Sequence, residues 1–228
     1  MLLLKNRTKL IFFYIFLLAM LSSTNNINFK NLKNFFEVKL ININGIENLN
    51  KTKLMDKLGI FKKKNIFFFN KNILNNILKD INYVDSYSVS KVYPSQINIF
   101  LKKTEFVGIT YIQGTKYLIG LNGKIIIEKN HKYQNNLPVI FGEFSPQNYI
   151  EILNKLKNNK FDIKNILEFY YYKNERWDLT LKNNIKIKLP NDGVDSALKI
   201  AKLYIDQINH EKKIIDLRVA NQVIISNE

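Results

Sequence analysis

The chain has 228 residues, 46% of them hydrophobic, no cysteine and a formal net charge of +16. That length and apolar content suit one large or two small packed domains and exclude an intrinsically disordered chain; the missing cysteine excludes disulfides, thiolate metal sites and CxxC redox chemistry. The charge comes from scattered lysines, with arginine only at Arg7, Arg176 and Arg218, which argues against nucleic acid, whose readers favour the bidentate guanidinium, and for a positive surface near anionic headgroups.

At the N-terminus, MLLLKNRTKLIFFYIFLLAMLSSTNNINFK places Lys5, Arg7 and Lys9 before an uncharged stretch, 10–29. Its strongly apolar part, Leu10 to Leu21, is about a dozen residues, against roughly 20 for a spanning helix, so Ser22 to Asn28 would lie in the interface. A cleaved signal peptide and an uncleaved anchor both fit this pattern. Either one places the chain from about residue 30 onward outside the cytoplasm.

Along the exported part, VKLININGI (38–46) predicts a strand with Ile41 and Ile43 on one face. NKTKLMDKLGI (50–60) predicts a short helix with Leu54, Met55 and Leu58 inward, stopped by Gly59. NIFFF (65–69) reads as extended. NKNILNNILKDI (70–81) predicts a second helix, with Ile73, Leu74, Ile77, Leu78 and Ile81 at helical spacing. Strands follow at 84–92 and 96–103, with Pro94 in the connection. This β-α-α-β-β order resembles a polypeptide-transport-associated (POTRA) domain: a three-stranded sheet with two helices on one face.

Past Glu105 the pattern changes. Residues 106–128 predict three short strands with turns at Gln113-Gly114 and Asn122-Gly123. LPVIFGE (137–143) reads as a surface linker. SPQNYIEILNKLKNN (145–159) predicts a helix capped by Ser145, with Pro146 in its first turn and Ile150, Leu153 and Leu156 inward. Strands at NILEFYYY, RWDLTLK and IKIKLP precede a helix over 192–209, whose apolar residues are Ala197, Leu198, Ala201, Leu203 and Ile205. KIIDLR and NQVIIS close the chain as strands. This half reads as antiparallel β with flanking helices, so the whole chain is α+β.

Reactive constellations are missing. His131 and His210 are isolated, glycines are single and sit at turns, and no metal-ligand spacing occurs. Asp178, Asp192, Asp195 and Asp216 could be paired as catalytic carboxylates, but Asp192 and Asp195 suit the opening of a helix, and Trp177 suits a core. Of the three tyrosines 170–172, alternation exposes at least one. No enzyme activity, cofactor or metal is predicted. What remains is the unpaired margin of a sheet, which recruits partner segments by strand addition. NQVIIS, with few charges, is the candidate margin; an ordinary buried final strand is the competing reading.

In this order the chain resembles the FtsQ/DivIB family of bacterial cell-division proteins over nearly its full length. The resemblance is carried by ININGIENLNKTKLMDKLGI, INYVDSYSVSKVYPSQINIFLKKTEFVGI, YLIGLNGKII, LPVIFG, RWDLTLKNNIKIKL and IIDLRVANQVII. Tyr83 stands where the family has Trp, Lys91 where it has Arg, Gly120 where Asp is common, and Thr104-Glu105-Phe106 lacks the usual Arg-x-Pro after Glu. The resemblance implies a short cytoplasmic tail (1–9), an uncleaved inner-membrane anchor (10–29), and periplasmic POTRA (37–105) and β (106–228) domains. It implies a non-enzymatic scaffold of the division machinery that holds the FtsB–FtsL pair and other membrane proteins of the division site. By position the docking segment is Arg218, Val219, Ala220, Asn221, Gln222, Val223, Ile224, Ile225 and Ser226, with Arg218 bonding an acidic partner residue. The strand Gln96, Ile97, Asn98, Ile99, Phe100, Leu101 is expected as a second recruitment surface. A POTRA-type polypeptide binder of outer-membrane assembly is the alternative; such proteins carry several POTRA repeats or a long barrel segment, neither visible here.

Overall fold

The computed structural model describes residues 2–22, 34–46, 48–128, 133, 136–205, 213–219 and 222–227. The two histidines fall outside them. The chain divides into two compact units, 1–77 with 88–101 and 78–87 with 102–228. The breaks between them fall at 77/78, 87/88 and 101/102.

Helix α1 spans Leu2–Ser22. Among the described residues no helix is long and apolar enough to cross a membrane. The reason is local: the uncharged part of α1 begins only after Lys9, and 13 residues at 1.5 Å each reach about 20 Å of a core about 30 Å thick. The rest of the expected 10–29 segment lies outside the described residues. From Leu10 to Leu21 the large apolar side chains are exposed.

The following elements are β1 (Leu40–Asn44), α2 (Asn48–Leu58), α3 (Lys71–Lys79), β2 (Val84–Val92) and β3 (Gln96–Lys103). They form the expected three-stranded sheet in the order β1-β3-β2, with β1 parallel to β3. Ile41 and Ile43, Leu54 and Leu58, Leu74 and Leu78, and Ile97, Ile99 and Leu101 are buried, as is Val38, while Met55, Ile73, Ile77 and Ile81 of the predicted stripes are half-buried. Residues 65–69 are not extended. The side chain of Asn65 accepts a hydrogen bond from the N–H of Phe67 and turns Ile66–Phe68 into a single 3₁₀ turn. Ile66 is thereby buried, while Phe67 and Phe68 point outward.

The remaining strands are β4 (Phe106–Ile112), β5 (Thr115–Gly120), β6 (Ile125–Ile127), β7 (Val139–Phe141), β8 (Ile166–Tyr171), β9 (Trp177–Leu181), β10 (Lys186–Lys188), β11 (Lys213–Asp216) and β12 (Ile224–Asn227), with helices α4 (Pro146–Asn158) and α5 (Val194–Ile205) between them. They build one nine-stranded sheet in the order β12-β11-β10-β9-β8-β7-β4-β5-β6. The sheet is mixed, which corrects the antiparallel reading: β4 with β7, β7 with β8, and β10 with β11 run parallel. Parallel neighbours need a crossover connection, and α4 and α5 are the crossovers from β7 to β8 and from β10 to β11.

Two sequence expectations change accordingly. The LPVIFGE segment is no linker, because Val139–Phe141 is an interior strand held on both sides. Leu203 is exposed: the inward stripe of α5 is Val194, Ala197, Leu198 and Ala201, and position 203 lies off that face. In α4 the inward residues are Tyr149, Ile152, Leu153 and Leu156, with Ile150 half-buried. Ser145 caps α4 as expected, its hydroxyl accepting from the N–H of Asn148 at 3.1 Å. Trp177 sits in the core, its ring within 6.1 Å of those of Tyr149, Phe144 and Phe169.

Gly142, at the end of the LPVIFG motif, has φ +101, and a Cβ there would lie 2.1 Å from the carbonyl oxygen of Tyr171. Gly142→Ala is therefore expected to cost at least about 2 kcal/mol, read as a lower urea midpoint for the fluorescence of Trp177.

Candidate functional site

Strand register sorts the larger sheet into two faces. On the helix-covered face a continuous row runs Ile140, Phe169, Leu179, Ile187, Ile215 and Ile225, each opposite the next. The first five are buried to 1% exposure or less. One position along, the row on the other face is Phe141, Tyr170, Asp178, Lys188, Asp216 and Ile224. Acid, base and acid thus alternate across β9, β10 and β11, and the row ends on a hydrophobic residue at the margin.

That margin is β12. Among the described residues it pairs with β11 alone, antiparallel, and is the terminal strand of the sheet. Ile224 is 49% exposed and Ile225 42%, and Val219, Gln222 and Ser226 are exposed as well. Val223 is the exception, being half-buried against the core. Ala220 and Asn221 lie outside the described residues. A groove of about 810 Å³ adjoins this segment between the start of α5 and residues 217–223; Pro190, Ser196, Ile200, Leu217, Val219 and Val223 are among the residues lining it.

Arg218 is exposed but already engaged. Its Nε donates to Asp216 Oδ1 at 2.8 Å and Oδ2 at 2.9 Å, its NH2 to Oδ2 at 2.5 Å, and its backbone N–H to Oδ1 at 3.1 Å. In an extended strand, residues two apart share a face, which is why the pair forms. Arg218 holds the Asp216 carboxyl below its usual range through these hydrogen bonds. Asp178 shifts the other way. Only 2% exposed, its carboxyl is pushed up by burial against the pull of Arg176. Arg176 Nε lies 3.3 Å from Asp178 Oδ1, yet neither atom has an aligned hydrogen bond among the described residues. The Arg176 guanidinium also stacks 4.3 Å from the Tyr172 ring.

Of the four carboxylates that could be imagined as catalytic pairs, three are built into structure. Asp178 and Asp216 flank Lys188 in the charge row, and Asp195 accepts from Asn159 Nδ2 at 2.7 Å. Sequence reasoning did not reach Lys188 or the Arg176–Asp178 pair as neighbours of the margin, since their proximity comes from register across three strands. The spacing of two in Asp216–Arg218, and equally in Arg176–Asp178, was the local signal.

The second expected surface lies in the smaller sheet. Strand 96–103 lies between β1 and β2 and has no open margin. Ile97, Ile99 and Leu101 are buried in the core. Of the six expected residues only Gln96, Asn98 and Phe100 face outward, and the Asn98 side chain already accepts from Asn42 and Gln96 at 3.0 and 2.8 Å. Strand addition is unavailable there.

Residues 36–103 match the family described as POTRA domain, FtsQ-type, and residues 110–218 match Cell division protein FtsQ/DivIB, C-terminal. A cell division protein FtsQ of Rickettsia bellii is 29% identical over 197 residues, covering 83% of this chain and 72% of that protein. The FtsQ of Rickettsia prowazekii is 28% identical with the same coverage. Among solved structures, the major extracytoplasmic domain of the division protein DivIB from Geobacillus stearothermophilus aligns at 14% identity and a TM-score of 0.32, covering 47% of this chain and 99% of that one.

The Asp216–Arg218 pair carries a pH signature. A carboxyl whose folded-state value is depressed stabilises the fold above its unfolded value, about 3.9, and loses that contribution as pH falls through the folded value. At this partly exposed site the effect is about 0.5–1 kcal/mol. Arg218→Met is expected to lower the melting temperature slightly at pH 7 and to flatten its fall between pH 4 and 2, as followed by circular dichroism.

Proposed function

Because the chain belongs to the FtsQ/DivIB family of cell-division proteins, we propose that it is a membrane-anchored scaffold of the divisome that captures an FtsB-like segment, with its FtsL-like companion, by strand addition at β12. The observation that carries this reading is the position of β12: among the described residues it is a terminal strand with one neighbour, exposed along its length and beside an open groove. Such a margin offers main-chain hydrogen bonds for affinity, while the groove beside it selects side chains. The polar face contributes charge. Lys188 and the Asp216–Arg218 pair lie in one row beside Ile224, so an incoming strand meets charges already fixed in place. Arg218 would reach an acidic partner residue with the guanidinium edge left over from Asp216. Membership of this family disfavours the outer-membrane alternative.

The anchor in this reading is the apolar part of α1 continued by the residues after Ser22, with Lys5, Arg7 and Lys9 on the cytoplasmic side. The folded units then stand in the periplasm at the division site, where the anchor keeps the margin within reach of other membrane-bound division proteins. Catalysis plays no part.

Two neighbouring substitutions separate binding from folding. Ile224 shares the face of Asp216 and Ile225 that of the buried Ile215. Ile224→Asp is expected to leave stability within about 0.5 kcal/mol while abolishing co-purification of the FtsB-like protein from detergent-solubilised membranes. Ile225→Asp is expected to lower the melting temperature. Deletion of 222–227 that leaves co-purification intact would overturn the site.

A further inference from the structure

Three segments of the POTRA unit converge on an aromatic surface. Residues 36–38 run against 63–66: the Ile66 N–H donates to the Phe36 carbonyl at 2.9 Å, Val38 N–H to Lys64 O at 2.9 Å, and Lys63 N–H to Val38 O at 3.1 Å. Lys91 Nζ donates to the Phe67 carbonyl at 3.3 Å and fixes the end of β2 to the same turn. The rings form a chain: Phe35 on Phe36 at 5.2 Å, Phe36 on Phe67 at 5.0 Å, and Phe67 stacked on Tyr93 at 5.2 Å. Unlike a core cluster, this one faces water. Phe35, Phe67 and Tyr93 are each more than half exposed, and Phe68, at 84%, is more exposed than any other large apolar residue of the chain's described part.

Around these rings the charge is one-sided. Over residues 34–39, 59–69 and 91–96 the cations are Lys39, Lys62, Lys63, Lys64 and Lys91, and the one acid is Glu37. Lys39 and Lys62–Lys64 are exposed; Glu37 is half-buried. Exposed aromatics ringed by lysine match the chemistry of a bilayer interface, where amphipathic rings sit at headgroup level and lysines meet anionic lipid. The chain supplies the proximity. Only 12 residue steps separate Ser22, at the end of α1, from Asn34, a reach of at most about 40 Å.

We propose that this face rests on the surface of an anionic bilayer, with Phe67, Phe68 and Tyr93 in the headgroup layer and Lys62, Lys63 and Lys64 against acidic lipid. The POTRA unit is then held against the membrane by contact as well as by its tether. The inference rests on the reading of α1 as the anchor.

Because the chain has no cysteine, Phe68→Cys gives a single labelling site, and Leu203→Cys in α5, at a residue 64% exposed, gives a second for comparison. Each full-length variant carries a nitrobenzoxadiazole label and is reconstituted in vesicles of 7:3 phosphatidylcholine and phosphatidylglycerol containing a doxyl-labelled lipid. The expected result is quenching at least twofold greater at position 68 than at 203. Lysine contacts with an anionic surface are worth roughly fivefold each, so Lys62, Lys63 and Lys64 changed together to Gln should lower the docked-to-undocked ratio more than tenfold. Chains that float with the vesicles but show equal quenching at both positions, or no change on losing the three lysines, overturn the contact and leave the anchor standing. Chains that do not float overturn the anchor reading and the contact together.

Discussion

The row Ile140, Phe169, Leu179, Ile187 and Ile215 is the constraint on which the larger unit depends. It crosses five strands at one level and is sealed by the inward residues of α4 and α5. Each such side chain contributes about 1.5–3 kcal/mol by leaving water, and a slip of one residue in any strand would turn its set outward. The same register that buries this row obliges Phe141, Tyr170, Asp178, Lys188, Asp216 and Ile224 to share the opposite face. The charge row and its hydrophobic end are consequences of the core, reached by the alternation of strands.

The core also explains why the margin stays open. β10 and β11 are parallel, and α5 is spent as the crossover between them. Past β11, Leu217 is buried and Val223 half-buried, and β12 adds antiparallel on the outside. No described element follows to cover it. The exposed Ile224 and Ile225 make a hydrophobic edge, of the kind that invites pairing with another strand.

Buried polarity near the margin costs stability. Asp178 and Arg176 are nearly enclosed and imperfectly aligned, and the Thr180 hydroxyl is buried without a hydrogen-bond partner among the described residues. A pair of this kind is weak evidence for stability, because desolvation offsets much of the Coulomb attraction. Its placement in the row that leads to Ile224 is consistent with charges kept in fixed positions for an incoming strand.

Local sequence determined most of the elements. The periods of 3.6 and 2 located α2, α3 and α4, the three POTRA strands and the three strands past Glu105, since those signals need only neighbouring residues. Ser145 with Pro146, and Asn122 with Gly123, marked a helix start and a turn by their own chemistry. Tertiary structure alone decided the rest. Three apolar residues at 139–141 are too few to declare a strand, and they became one because β4 and β8 each offered a free margin. Whether β3 or β2 lay at the edge of the POTRA sheet depended on β1 pairing in parallel from 56 residues away. The exposed aromatic face arose from an Asn65 turn and the return of 91–93, and the charge row from register across three strands. Long-range pairing sets those outcomes, and a pattern of adjacent residues carries no record of it.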